Sequence, residues 1–292
     1  MNVLLRRLMR KQGFIAIGFL APSVIGFAVF YLIPFVIGTA YSFIDRTSGG
    51  SFVGFANYHA VLASASFRQA AMNTFLFTAG SVPLLVVLSL LLALFLNGNV
   101  YFRNWLRTVY VMPLVVPVAS VVMIWQILFD WNGSLNAWLH ALGAERIDWM
   151  KSDWARGVLS VVYLWKNLGY NMILFLAGLQ GIPKDYYETA DLEGAGPIRK
   201  LIGITLVYLT PTMFFVVLMS IMNSFRIFRE TYLIAGDYPH DSIYMLQHYM
   251  NNIFLSLDVQ KLTAAAALMV CCILVIVSGM LAMERQFRRF ME

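Results

Sequence analysis

The sequence is poor in charged residues and in the motifs that enzymes use. Only 12% of its 292 residues are charged, whereas 60% are hydrophobic. It contains no GxxxxGKS/T loop for binding phosphate and no pair of histidines at the His-x-x-x-His spacing of a zinc protease. Its two cysteines, Cys271 and Cys272, are adjacent within an apolar run and lack metal-binding spacing. These absences weigh against an enzyme and predict a chain with no metal site and no cofactor of its own.

Six long apolar runs occupy most of the chain. The mean hydropathy is +0.72, and a transmembrane helix needs about 20 mostly apolar residues. We therefore predict an all-α integral membrane protein with six transmembrane helices, forming one domain over residues 1–292 with an N-terminal helix at 14–41. The predicted spans are 12–44, 69–102, 108–129, 157–183, 201–225 and 262–283.

The distribution of Lys and Arg predicts which ends of the spans face the cytoplasm. The first apolar run is longer than the about 7–15 residues of a cleavable signal, so we expect a retained helix. Its start is predicted to be held inside by Arg6, Arg7, Arg10 and Lys11. With that start inside, the inner segments carry 12 Lys or Arg in 62 residues and the outer segments 8 in 94. Both ends are thus predicted to be cytoplasmic, and the net charge of +6 indicates contact with the lipid bilayer rather than with nucleic acid.

Charged side chains are almost absent from the predicted spans. Every acidic residue falls in a loop or at the edge of a span, and Lys166 is the one charge deep inside. A secondary, ion-coupled transporter usually has several Asp or Glu in its helices, so this alternative is disfavoured but stays open. A lysine at a helix centre costs roughly 2.5–3.5 kcal/mol on insertion scales. Three explanations are open: the Lys166 amine reaches the interface, pairs with an acid on another subunit, or meets an anionic substrate.

The stretch "DYYETADLEGAGPIRK", between the fourth and fifth spans, is charged but is built as two helices. Pro183 suits a first helical turn, and Asp185 complements the positive end of the helix dipole. Gly194 can adopt a positive φ and end the first helix, and Pro197 can start the second. We therefore predict a rigid cytoplasmic elbow, the name we use for residues 183–200. On these features alone, a well-capped loop without a partner explains the pattern as well as a docking element does.

The elbow resembles the signature loop of binding-protein-dependent ABC importer permeases, which reads Glu-Ala-Ala, then Gly, then Ile-x-Leu-Pro. The matching positions here are Glu188-Thr189-Ala190, Gly194 and the segment 204–207. Thr189 replaces an alanine of the family pattern, and Val207 replaces its proline. The acid and the glycine break are retained, so docking is still expected.

The resemblance extends over the whole chain and is greatest to the larger membrane subunit of maltose-type and glycerol-3-phosphate-type importers. It implies a core importer unit at about 69–284. The outer Gly-Gly-Gly-Pro of the family is altered here to "AGDYP" at 235–239. The segments that resemble the sugar-permease subfamily, in order and at the expected spacing, are 19–43, 52–62, 73–78 and 174–183.

This resemblance implies a multi-pass protein of the bacterial inner membrane that imports a sugar, expected to be a di- or oligosaccharide. The implied partners are a second permease subunit, two ATP-binding cassette subunits that hold ATP and Mg²⁺, and an extracytoplasmic solute-binding protein that delivers the sugar. The chain itself is then expected to be non-catalytic. The residues implied in coupling to the ATP-binding subunits are Glu188, Thr189, Ala190, Leu192 and Gly194.

Polar residues lie at helical spacing in the two spans that flank the elbow. Such residues are costly in a membrane unless they face a partner or a water-filled path, and they suit the hydroxyls of a sugar. The alternative is that they hold helices together, which is slightly favoured for the two serines, whereas the resemblance favours substrate contact for Tyr170 and Asn223. The predicted pathway residues are Lys166, Asn167, Tyr170, Asn171, Ser220, Asn223 and Ser224.

Overall fold

The computed structural model describes the backbone of residues 2–98 and 100–291 and the side chains of residues 15–98 and 100–287. Across these residues the chain is helical, and its only β-structure is an isolated bridge between Ile44 and Phe52. The all-α prediction is therefore confirmed. The cations predicted to hold the first helix in the cytoplasm lie outside the described side chains; they are Arg6, Arg7, Arg10 and Lys11.

The helices vary from one turn to more than eight turns in length. In chain order they are α1 (Asn2–Phe27), α2 (Ile33–Tyr41), α3 (Ala56–Ala63), α4 (Ala65–Asn97), α5 (Arg103–Val115), α6 (Val118–Phe129), α7 (Ser134–Ala141), α8 (Ala155–Gln180), α9 (Lys184–Leu192), α10 (Pro197–Lys200), α11 (Leu206–Phe225), α12 (Phe228–Ala235), α13 (Leu246–Leu255) and α14 (Val259–Met291). Short π-helical segments join α1 to α2 at Ala28–Leu32 and α10 to α11 at Leu201–Thr205.

Several helical stretches are long and apolar enough to cross a membrane. Within the described chain four single stretches qualify, and one bent pair of helices raises the count to five. They are Ile15–Tyr41, Ala65–Asn97, Pro197–Ala235 and Val259–Phe287, with the bent pair Arg103–Val115 and Val118–Ala141. Helix α8, which covers the fourth predicted span, is not among them; it carries Arg156, Lys166 and two asparagines. A multi-pass protein is thus supported, and the count of six depends on α8.

The third predicted span is broken. The sequence predicts an uninterrupted run at 108–129, but α5 ends at Val115, α6 begins at Val118, and the two helices are bent by 99°. The cause is Pro117, whose ring disfavours helical backbone at the preceding residue and which has no N–H to continue the hydrogen-bond ladder. Val116 is accordingly extended, with φ −70° and ψ 133°. The prediction of one continuous helix is therefore wrong at this point.

The chain divides into two compact units. They comprise Met1–Ala63 with Ile253–Leu268, and Ser64–Asn252 with Met269–Glu292. In the first unit Asn57 closes the loop that follows α2, because its Nδ2 donates to the carbonyl oxygens of Ser42 and Ile44, each at 2.9 Å. The expectation of a single domain stays a prediction.

The core of the second unit lies between α4, α8 and α11, and α5 packs against α8. Tyr163 of α8 and Phe77 of α4 are both buried and meet edge to face, with ring centroids 5.4 Å apart. A glycine allows α8 to approach α5 closely, since a Cβ added to Gly169 would lie 1.8 Å from the carbonyl oxygen of Tyr110. Helix α8 is therefore surrounded by other helices of this unit, where polar side chains can find partners.

Candidate functional site

A cavity of about 490 Å³ opens beside α8, at the junction of α11 and α12. It reaches Leu114, immediately before the break between α5 and α6. Backbone that is not helical at membrane depth is tolerated where it is buried in protein or lines a water-filled cavity. The lining residues are Leu114, Lys166, Asn167, Asn223, Arg226, Ile227, Phe228, Arg229, Glu230 and Gln247.

Lys166 is paired within its own chain. Its Nζ donates to Oε1 of Glu230 in α12, a side chain that is only 4% exposed. None of the three explanations drawn from the sequence named this acid, because the sequence places Glu230 in an outer loop, 64 residues away. Removing one partner of a buried ion pair leaves an uncompensated charge at a cost of about 3–5 kcal/mol. The pair therefore holds α12 against α8 at the wall of the cavity.

Two further cations line the cavity at the α11–α12 junction. Arg226 follows the last residue of α11, and Arg229 lies in the first turn of α12. Both side chains are exposed, and among the described residues neither forms an ion pair. Together with Lys166 and Glu230, they give the cavity three cations and one anion.

Two asparagines on facing helices form a polar wall of the cavity. Nδ2 of Asn223, on α11, donates to Oδ1 of Asn167, on α8, at 3.2 Å. Nδ2 of Asn167 donates in turn to the carbonyl oxygen of Tyr163 at 2.8 Å. Because an asparagine has both donor and acceptor groups, this wall can exchange hydrogen bonds with hydroxyls. Of the predicted pathway residues, those that line the cavity are Lys166, Asn167 and Asn223.

Three of the other four predicted pathway residues lie in helix contacts. Asn171 and Ser220 are fully buried, and Nδ2 of Asn171 donates to Oγ of Ser220 at 2.8 Å. Ser224 is also buried and shares a hydrogen bond of 2.8 Å with Thr78 of α4. Tyr170 is half-buried. None of these four residues is among the described residues that line the cavity. Their contacts suit helix packing, and their place in a substrate pathway stays a prediction.

The elbow contains the two short helices that its sequence predicts. Gly194 ends α9 with φ +75°. The N–H of Ala195 donates to the carbonyl oxygen of Ala190 at 2.8 Å. The N–H of Gly194 donates to the carbonyl oxygen of Asp191 at 3.0 Å, which completes a Schellman motif. Pro197 is the first residue of α10. The predicted positive φ and the predicted second helix start are both confirmed.

Aromatic side chains attach the elbow to the next long helix. The ring of Tyr186 packs against that of Tyr208 on α11, with centroids 4.9 Å apart. The hydroxyl of Tyr187 shares a hydrogen bond of 2.9 Å with the hydroxyl of Thr205, which directly precedes α11. Helix α9 is therefore attached to α11, and to the residue before it, by a ring contact and a hydrogen bond.

The outer surface of the elbow is apolar at two exposed positions. Leu192 is 90% exposed and Ile198 is 72% exposed. A salt bridge of 2.6 Å between Lys200 and Asp191 holds α10 against α9. Four of the predicted coupling residues are exposed, namely Glu188, Thr189, Leu192 and Gly194. The fifth, Ala190, is half-buried.

A polar clamp fixes the segment that precedes α13. Nη2 of Arg156 donates to Oδ1 of Asn73 at 3.1 Å, and its Nε donates to the carbonyl oxygen of Ser242 at 3.3 Å. Nδ2 of Asn73 donates to the carbonyl oxygen of Tyr244 at 2.9 Å. Asn73 therefore has a structural role, since it links Arg156 of α8 to the segment that precedes α13.

His248 of α13 lies behind the cavity wall. It is fully buried, and its ring meets that of Phe228, a cavity residue, with centroids 4.8 Å apart. Its Nε2 has no hydrogen-bond partner among the described residues. Burial lowers the pKa of His248 to about 4, against a weaker opposing effect of Asp237.

The fold is shared with solved membrane transporters. The chain superposes with a TM-score of 0.83 on a chain of a bacterial ABC transporter involved in the import of the acidic polysaccharide alginate, with 23% identity, covering 96% of this chain and 99% of that chain. It also matches the bacterial alginate ABC transporter in complex with an alginate pentasaccharide-bound periplasmic protein, with a TM-score of 0.81 and 22% identity, over 94% and 96% of the two chains. At these identities the likeness establishes the fold.

The sequence relatives are permease proteins. The chain is 37% identical over 221 residues to the arabinooligosaccharides transport system permease protein of Bacillus subtilis (strain 168), covering 74% of this chain and 70% of that one. It is 30% identical over 217 residues to the trehalose/maltose transport system permease protein of Thermococcus litoralis, covering 72% and 73%. The family model described as binding-protein-dependent transport system inner membrane component matches residues 85–292. The chain therefore belongs to the binding-protein-dependent transport system inner membrane component family.

Proposed function

We propose that the chain is the transmembrane permease subunit of an ATP-driven ABC importer that translocates a sugar. The observation that carries the proposal is the family match over residues 85–292, in a chain whose elbow is exposed and attached to a long apolar helix. Two relatives of this chain are named for arabinooligosaccharides and for trehalose and maltose. A di- or oligosaccharide is therefore the proposed substrate class, delivered by an extracytoplasmic binding protein.

In the proposed topology α8 is a sixth span, and both ends of the chain face the cytoplasm of a bacterial cell. The twenty-six residues of α8 are enough to cross a hydrocarbon core about 30 Å thick. Its polar residues are compatible with this because Lys166 pairs with Glu230 and Asn171 is hydrogen-bonded to α11. The excess of Lys and Arg in the segments assigned to the inside supports the orientation.

The proposed coupling runs from the elbow to the cavity. ATP and Mg²⁺ are held by two partner ATP-binding subunits, and the present chain has no catalytic role. Glu188, Thr189, Ala190, Leu192 and Gly194 form the docking surface for one of these subunits. When that subunit moves, the elbow carries α11 with it through Tyr186 and Tyr187, and α11 bears the Asn223 wall of the cavity.

The test is co-purification of the whole importer from cells that express all its subunits. The double variant Glu188→Lys/Gly194→Pro should lose the ATP-binding subunits while retaining the second permease. A matched control is Glu145→Lys/Gly143→Pro, which changes an exposed acid and a glycine of positive φ in the outer loop after α7. The control should retain every subunit.

Two outcomes would count against the proposal. If the elbow variant co-purified the ATP-binding subunits and transported sugar normally, the docking role would be lost. If uptake in the wild type survived ATP depletion and collapsed with an uncoupler, the protein would be an ion-coupled secondary transporter instead.

A further inference from the structure

We infer that the cavity accepts a carbohydrate that carries an anionic group, such as a carboxylate or a sulfonate. This inference rests on the proposed sugar-import function and adds the charge of the substrate to it. The observations that carry it are the unbalanced charges of the lining, the placement of both arginines at one cavity, and the uncharged amide groups in the same lining.

The charges of the cavity are not balanced by other charges among the residues that the structure describes. Of the three cations that line the cavity, Lys166 is paired with Glu230. Arg226 and Arg229 have no carboxylate within ion-pair distance among the residues described. Two guanidinium groups at the same site prefer an anion with several oxygens, because each can donate two parallel hydrogen bonds to a carboxylate or a similar group.

The two arginines are placed to act together. They are three residues apart on either side of the turn between α11 and α12, and both line the same cavity. Glu230 follows Arg229 directly but is turned inward, 4% exposed, and engaged by Lys166. The carboxylate of Glu230 is therefore already paired with Lys166 of α8. The two arginines remain available to a ligand in the cavity.

The remaining lining fits the uncharged part of a sugar. Asn167 and Asn223 present amide groups from two helices, and Gln247 adds a third amide from α13. These groups exchange hydrogen bonds with hydroxyls without selecting for charge. The cavity of about 490 Å³ is within the 300–1,000 Å³ range of small-molecule sites.

The experiment compares an acidic oligosaccharide with a neutral copy of it. The purified importer complex, without its binding protein, is titrated with trigalacturonate and with the fully methyl-esterified trigalacturonate, and both affinities are measured by calorimetry. The wild type should bind the acid at least about tenfold more tightly than the ester, as expected for charge-assisted hydrogen bonds. This preference should weaken as salt is added, since the arginines are exposed.

The variant Arg226→Gln/Arg229→Gln should lose the preference for the acid while keeping the affinity for the ester. The matched control Arg46→Gln/Arg103→Gln removes two exposed arginines that do not line the cavity and should bind like the wild type. A change confined to the acid also distinguishes ligand binding from a general loss of folding.

Each contrary result bears on the inference separately from the proposed function. Equal binding of acid and ester by the wild type would overturn the anionic preference and leave a sugar permease in place. Binding of neither probe by a complex that still co-purifies with its ATP-binding subunits would do the same. If the arginine variant kept the preference but lost the second permease, the arginines would be contacts to that subunit, and the inference would fall.

Discussion

At the scale of single residues, His248 shows how burial sets a charge state. Its imidazole lies in α13 with no exposed surface, and its Nε2 has no hydrogen-bond partner in the described chain. Burial disfavours the charged form and lowers the pKa from 6.5 to about 4, with Asp237 opposing the shift. The unfolded chain therefore binds a proton at higher pH than the folded chain does. The stability contributed by neutral His248 is complete above pH 6.5 and is lost as the pH falls from 6.5 toward 4.

We predict that the importer loses stability in mild acid partly through this residue. A pKa difference of this size corresponds to a loss of about 2 kcal/mol between pH 7 and pH 5. Melting temperatures of the wild type and of His248→Gln, measured across that range, should show a smaller fall in the variant. His140→Gln, at an exposed position, is the control and should match the wild type. Parallel pH profiles for His248→Gln and the wild type would contradict the prediction.

At the scale of elements, α8 is the helix most constrained by its neighbours. Gly169 leaves no room for a side chain, because an added Cβ would lie 1.8 Å from the carbonyl oxygen of Tyr110. Gly178 is similarly close to α11, with Oγ1 of Thr212 at 2.7 Å from an added Cβ. The first of these contacts is with backbone, which cannot rotate away. Helix α8 thus packs against α5 at a glycine, beside the asparagine that lines the cavity.

Gly169→Ala should therefore separate α8 from α5. Overpacking of a tight contact costs about 1–3 kcal/mol, so we expect a lower melting temperature and reduced sugar uptake. Gly157→Ala is the matched control on the same helix, since nothing lies within 4 Å of its added Cβ. The control should behave like the wild type. Equal stability of the two variants would show that α5 is free to shift at this contact.

The elements differ in how well the sequence predicts them, and the difference follows from the range of the interactions. The elbow depends on Gly194 and Pro197, whose backbone preferences are local, so it could be predicted. The break at Pro117 also depends on a local backbone preference, so the sequence contains the signal for it. A prediction of spans from the length of apolar runs alone does not use that signal. The pair of Lys166 with Glu230 depends on packing between distant helices, and no local pattern indicates it. The cavity could not be predicted for the same reason.

At the scale of the whole molecule, the proposed topology depends on α8. The elbow and the loop that contains α7 are separated by this one long helix. If α8 spans the membrane, the two must face opposite sides, whatever the orientation of the other helices. The family match and the apolar stretches support a multi-pass protein. The orientation of its helices across the membrane is to be determined by experiment.

Cysteine labelling provides that experiment. In a background with Cys271→Ser and Cys272→Ser, we expect Trp138→Cys to react with a membrane-impermeant maleimide on intact spheroplasts. When the chain is expressed without the ATP-binding subunits, which leaves the proposed docking surface uncovered, Leu192→Cys should react only after the membrane is opened. Both positions are well exposed, at 65% and 90%, so access to each thiol depends on the side of the membrane. Labelling of both from the same side would mean that α8 does not cross.

The ion pair between α8 and α12 also has a consequence for how the protein is made. Lys166 is synthesised 64 residues before Glu230, and at about 5–20 residues per second the acid follows roughly 3–13 s later. If α8 spans the membrane, it carries during that interval a lysine without its acidic partner, which costs roughly 2.5–3.5 kcal/mol at the centre of an inserted helix. The pair can therefore form only after α12 has been synthesised, so the part of the cavity wall that it builds is completed after α8 has been made.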